Sequence, residues 1–98
     1  MRIVWSPLAL ERVRAIAQEV ASERPIVAKR WVRAIFTRAQ QLREYPQSGR
    51  ITPDLGRTEV RQLPHPPYRI IYRVERSRIL ILTVRHGREA ELDPTTEL

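Results

Sequence analysis

Tyr68-Arg69-Ile70-Ile71-Tyr72-Arg73-Val74, followed after Glu75-Arg76-Ser77-Arg78 by Ile79-Leu80-Ile81-Leu82-Thr83-Val84, is the stretch that decides the fold. The first run alternates as a half-buried strand does, with Tyr68, Ile70, Tyr72 and Val74 on one face and Arg69, Ile71, Arg73 and Glu75 on the other. The second run is apolar at nearly every position. It is short for a helix and rich in Ile, Leu and Val, so it reads as a strand covered on both faces. The residues between them suit a hairpin connection. The hairpin is therefore expected at the centre of the fold, and its polar end, Arg85-His86-Gly87-Arg88, is where function is sought.

Working outward, Arg2-Ile3-Val4-Trp5 reads as a short first strand. Ser6-Pro7 is a helix start, the serine offering an N-cap oxygen and the proline fitting the first turn. Ala9, Val13, Ile16, Ala17 and Val20 then recur at helical spacing, and the helix should end near Ser22, because Arg24 precedes Pro25. A second helix from about Pro25 carries Ala28, Trp31, Val32, Ile35, Phe36, Ala39 and Leu42 as its apolar stripe and should end at Glu44-Tyr45, before Pro46. The short connection makes the two helices an antiparallel hairpin, with Trp31 and Phe36 in the core. Pro46 to Gly56 reads as a loop of about a dozen residues, long enough to suggest binding. Glu59 to Leu63 is a modest strand, broken by Pro64, Pro66 and Pro67 and suited to an edge. Ala90 to Leu98 reads as a frayed tail. The order β-α-α-β-β-β implies one α+β domain over residues 1–98, a helical hairpin packed on a small, mostly antiparallel sheet.

Ninety-eight residues can bury a core with little surplus, so a partner is expected to add stability. With no cysteine, disulfides and thiolate metal sites are excluded, and a cytoplasmic location is the default expectation. The N-terminus does not resemble a signal peptide, and no apolar run approaches the roughly 20 residues that span a bilayer. The net charge of +7 is unevenly placed: residues 89–98 carry four acidic side chains, and every basic residue precedes them. All 18 basic residues except Lys29 are arginine, whose planar fork suits carboxylates and phosphates. The body should attract an acidic protein segment or nucleic acid.

Most catalytic classes fail on the residues. None of Ser6, Ser22, Ser48 and Ser77 sits in a nucleophile motif. His65 and His86 have no metal-ligand spacing, Asp54 and Asp93 lie in turn or tail contexts, and no glycine-rich phosphate loop exists. No metal or other cofactor is expected. What remains is a basic, polar group at the strand ends: Arg61, Arg69, Arg73, Arg85, His86 and Arg88. Such a group suits either the charge that develops in phosphodiester cleavage or the carboxylates of a protein partner. For His86 a hydrogen-bonded structural role is the stronger reading, with acid–base catalysis the alternative.

Four segments, in this order and spacing, carry a resemblance: Val4-Trp5-Ser6-Pro7; Leu42-Arg43-Glu44-Tyr45-Pro46-Gln47-Ser48-Gly49-Arg50; Tyr68-Arg69-Ile70-Ile71-Tyr72; and Val84-Arg85-His86-Gly87-Arg88. Together they resemble the RelE/ParE toxin superfamily over roughly residues 2 to 88. The resemblance implies the toxin of a type II toxin–antitoxin, or plasmid stabilisation, module, bound by a small antitoxin with an acidic, amphipathic segment. RelE-like members cut messenger RNA on the ribosome; ParE-like members poison DNA gyrase. Arg69 and Arg88 match RelE catalytic positions, and a ribonuclease reading would add His86. The positions that hold lysines in RelE correspond to Val60 and Gln62, no tyrosine follows Tyr72, and the 42–50 segment is closer to ParE. The ParE branch is therefore favoured, with Arg61, Arg69, Arg85, His86 and Arg88 as the implied target-binding residues and the RelE-like ribonuclease as the alternative. Outside that family stand a small nucleic-acid-binding module, suggested by charge alone, and an inactive toxin kept as an antitoxin-binding scaffold.

Overall fold

The computed structural model describes residues 1–52 and 59–87. Strand β1 (Arg2–Trp5) leads into helices α1 (Pro7–Ala21) and α2 (Pro25–Gln40), and a single 3-10 turn, Gln41–Arg43, continues α2. Four strands follow: β2 (Arg50–Thr52), β3 (Val60–His65), β4 (Tyr68–Val74) and β5 (Arg78–His86). The sheet order is β1-β5-β4-β3-β2, antiparallel except that β1 runs parallel to β5. The architecture is the expected α+β one, with one strand more than the sequence reading provided. Arg50–Thr52 falls inside what reads as loop, because three residues show no alternation to detect. Pro64 does not break β3. Strand β2 pairs only with Val60 to Gln62, so Pro64 sits where β3 has no neighbour on that side and its missing N–H is not needed.

The hairpin is central, as expected, and a register shift resolves its second strand. Ile71 pairs with Thr83 but Tyr72 pairs with Ile81, which leaves Leu82 as the extra residue of a β-bulge. Ile81 and Val84 are an odd number of residues apart and would face opposite ways in a regular strand. The bulge turns Ile79, Ile81 and Val84 all toward the helices, where each is fully buried. Leu80 and Leu82, on the other side, are only half-buried, so β5 is fully covered on one face, not on both.

Ala9, Val13 and Ile16 of α1 and Ile35, Ala39 and Leu42 from α2 and its last turn close that core over Leu63, Ile70 and Tyr72. Trp5 stacks on Phe36 with ring centroids 4.5 Å apart, and both pack at the core's margin. Ser6 caps α1 as expected, its Oγ accepting from Ala9 N at 3.0 Å. The same hydroxyl donates to Leu82 O at 2.9 Å, and Arg12 Nε donates to Val84 O at 2.9 Å. Strand β1 pairs only as far as Ile81, so these two side chains of the α1 segment satisfy carbonyls on the open edge of β5.

Candidate functional site

With the helices on one face of the sheet, register decides what the other face presents. Arg50, Gln62 and Ile71 are cross-strand neighbours there, as are Thr52, Val60 and Arg73, and as are Pro64, Arg69 and Arg85. Thr52, Val60, Gln62, Arg69 and Ile71 are all buried, Arg69 to 9% exposure. The polar members bind one another across three strands. Arg69 NH1 donates to Gln62 Oε1 at 2.8 Å, and Gln62 Nε2 donates to Thr52 Oγ1 at 2.5 Å. Both ends of the Gln62 amide are thereby fixed, and the guanidinium of Arg69 is held in one orientation. At the end of β3 and β4 a cleft of about 310 Å³ opens beside it, lined by Arg50, Gln62, Pro64, Pro66, Pro67, Tyr68, Arg69 and Gly87. The Pro66–Pro67 peptide, in the turn that walls the cleft, is cis.

Arg50 reaches this cleft because the segment before it is pinned. Tyr72 is wholly buried, yet its hydroxyl accepts from Gly49 N at 2.9 Å and donates to Pro46 O at 2.9 Å. Burial pushes the Tyr72 hydroxyl above its ordinary pKa despite the opposing hydrogen bond from Gly49, so it remains a donor at neutral pH. A Cβ on Gly49 would lie 2.6 Å from that hydroxyl and 2.7 Å from Gln62 O, so the close approach requires glycine. Arg61, the cross-strand partner of Tyr72, donates through NH1 to Gln47 O at 3.0 Å and Gly49 O at 2.8 Å, while its Nε donates to Glu59 at 2.5 Å. The Tyr45-Pro46-Gln47-Ser48-Gly49-Arg50 run is thus a strap whose geometry sets where β2 begins.

The basic group expected at the strand ends does not form one cluster. Arg69 and Arg85 lie side by side on the open face, in register. Arg73 shares that face but pairs with Glu75 at 2.6 Å, near the hairpin turn. Arg61 lies on the helix-covered face and holds the strap. His86 is also on the helix side, its ring edge-on to Tyr68 at 5.4 Å, while Tyr68 packs on Trp31 at 5.2 Å. Arg88, like the tail at 89–98 and the loop at 53–58, lies outside the described residues. Sequence reasoning missed Arg50, Gln62 and Thr52 as site residues and Tyr72 as the fastener. The available signal was a glycine and an arginine directly after a turn, opposite a strand tyrosine.

His65 sits at the end of β3, its pKa lowered by burial and by the charge of Arg38, so it is neutral at neutral pH. Among the described residues that line the cleft there is no histidine and no carboxylate. Nor does any group of three or more histidine, aspartate or glutamate side chains among the described residues suit a metal ion. The cleft's chemistry is that of guanidinium and amide donors, which bind an anionic oxygen and fix its position.

A second concavity lies on the helical side. A groove of about 640 Å³ runs between α1 and α2, lined by Leu10, Val13, Ala17, Ala21, Pro25, Ala28, Val32 and Phe36, with Arg14, Gln18, Lys29 and Arg33 among its walls. Exposed Leu8, Ile26 and Val27 extend the apolar surface of the two helices. No helix among the described residues is long and apolar enough to cross a membrane.

Comparison with known proteins agrees with this architecture. The family described as "ParE toxin of type II toxin-antitoxin system, parDE" matches residues 3–91. Toxin RelE2 of Caulobacter vibrioides is 34% identical over 87 residues, covering 88% of this chain and 94% of the relative. Y4kP of Sinorhizobium fredii is 38% identical over 88 residues, covering 90% of each. A solved structure titled "Chromosomal ParDE TA system from P. aeruginosa" superposes with a TM-score of 0.75 at 24% identity, over 88% of this chain and 95% of that one, and supports the fold.

Proposed function

We propose a function from one established premise: the chain belongs to the ParE toxin family of type II toxin–antitoxin systems. Its target, in our reading, is DNA gyrase, which it holds in the cleaved complex with DNA. The observation that carries this reading is the state of Val60 and Gln62. These positions resemble those that bear lysines in RelE. Here one is a buried valine, and the other is an amide tied to Arg69 on one side and Thr52 on the other. The strand that would supply cations for RNA cleavage supplies scaffold instead. Arg50, Arg69 and Arg85 are then groups that dock carboxylates or phosphates of the target, and Arg88 extends the set by resemblance.

The antitoxin, in the same reading, lays an amphipathic acidic helix in the groove between α1 and α2. Its apolar face would cover Val13, Val32 and Phe36, and its carboxylates would meet Arg14 and Lys29. The reading favours a helix because a groove between two packed helices accepts one by the same ridge-and-groove packing.

The name of the Caulobacter relative, Toxin RelE2, keeps the ribosome-dependent ribonuclease as the second reading. Two assays on the purified chain separate them. The first is a gyrase supercoiling reaction; the second is a translating ribosome with toeprinting of the message. Inhibited supercoiling with intact message supports the gyrase reading, and a cleaved message with unaffected gyrase replaces it. Growth that continues when the chain alone is expressed would mark an inactive toxin.

A further inference from the structure

The arginines are not equally answered. On α1 and the central strands several have carboxylate partners: Arg14 with Glu11, Arg61 with Glu59, and Arg73 and Arg78 with Glu75. Helix α2 and its flanks differ. From Arg24 through Arg43 the chain carries six basic residues and no acidic one. None of Arg24, Lys29, Arg30, Arg33 and Arg43 makes an ion pair among the described residues. At about 100° per residue, Lys29, Arg30 and Arg33 fall on the side of α2 opposite the buried Ala28, Ile35 and Ala39. Arg38 lies at the border of this side. Its Nε donates to Pro64 O at 2.8 Å and its NH1 to Gln41, which holds its guanidinium in place without neutralising it. A shallow groove of about 520 Å³ runs alongside, walled by Arg30, Arg33, Thr37, Arg38 and His65.

We propose that this outer face of α2 binds the phosphate backbone of duplex DNA. The spacing suits it. Arg30, Arg33 and Arg38 wall one groove, and Arg30 to Arg38 is a rise of about 12 Å along the helix, close to the span of three to four phosphates of one strand at about 3.4 Å each. Arginine forks match phosphate oxygens in pairs. An acidic protein partner fits less well. From Lys29 to Arg38 no large apolar side chain is exposed to anchor a protein interface, the exposed Ile26 and Val27 being at the start of the helix. The apolar surface a protein would want lies on the other flank of α2, in the groove shared with α1. Binding is independent of base sequence, because a row of cations along a convex helix meets phosphates and reads no base edge. The face belongs to the helical layer and is separate from the Arg50–Arg69 cleft on the far side of the sheet.

The test uses the full chain alone and a labelled mixed-sequence DNA duplex of about 24 base pairs, with affinity followed by fluorescence anisotropy from about 50 to 200 mM salt. The expected plot of log affinity against log salt has a slope near −2.7, or about −0.9 for each of three phosphates. Arg30→Ala with Arg33→Ala should bring the slope to about −1 and weaken binding on the order of tenfold at the lowest salt. Both side chains are exposed, and thermal melts should confirm that the variant folds like the parent. Arg76→Ala, at an exposed arginine between β4 and β5, should leave the slope unchanged. A slope near zero, an unchanged slope in the double variant, or loss of binding through Arg50→Ala instead would each overturn the proposal. So would polyglutamate displacing the duplex at equal charge, which would assign the face to an acidic protein. No gyrase is present in this test, so its failure leaves the gyrase reading standing.

Discussion

The two faces of the sheet are built from the same strands and do different work. Toward the helices, Leu63, Ile70, Tyr72, Ile79, Ile81 and Val84 form an apolar layer in which one hydroxyl, that of Tyr72, finds partners in the strap beside it. On the open face the buried residues include a guanidinium, an amide and a hydroxyl, joined as Arg69, Gln62 and Thr52. Burying these polar groups costs free energy that the hydrogen bonds among them offset only in part. The helix side explains why the domain folds, whereas the open side carries arginines within a sheet that apolar residues would stabilise as well.

Substitutions should separate the faces in graded steps. Ile81→Asp places an unpaired charge in the apolar layer and should unfold the domain, at a cost above about 4 kcal/mol, seen as loss of the cooperative melt in circular dichroism. Tyr72→Phe keeps the ring and removes both hydrogen bonds to the strap. It should cost about 1–3 kcal/mol in denaturant unfolding and increase amide exchange at Gly49, while the core stays protected. Arg69→Ala acts on the open face alone. It should cost no more than about 2 kcal/mol yet remove most of the toxicity on induced expression. A folded but fully toxic variant would return Arg69 to the scaffold. Glu75→Gln at the hairpin turn should have the smallest effect. Its carboxyl is held below the usual range, chiefly by Arg73 and then by Arg78, so its contribution is present above its unfolded pKa and lost as pH falls through the folded value. Melts of parent and variant should therefore converge in acid, and the difference at neutral pH should be slight because the ion pairs lie at the surface with Glu75 only partly buried.

The helix side was legible in the sequence because its signals are local. Ser6-Pro7 marks the start of α1, the proline at 25 starts α2, and the alternation from Tyr68 to Val74 marks β4. The open face was legible only in part, because its network joins residues that no periodicity links. Gln62 meets Thr52 ten residues away through β2, a strand of three residues, and Tyr72 meets Gly49 across 23 residues. The bulge at Leu82 decides which residues of β5 face the helices, and a run of apolar residues does not announce it. Arg61 shows the same limit from the other direction. Its charge and its place on a strand suggest a target contact, while its neighbours make it the clasp of the strap that delivers Arg50.

The proposed docking of the open face on gyrase can be tested directly. The most direct measurement is plasmid supercoiling by purified gyrase, titrated with the parent chain and with Arg69→Ala. The parent should stop supercoiling and accumulate cleaved DNA, while the folded Arg69→Ala chain should do neither at the same concentration. Undisturbed supercoiling with the parent chain, at concentrations that arrest translation on a message it cuts, would contradict it.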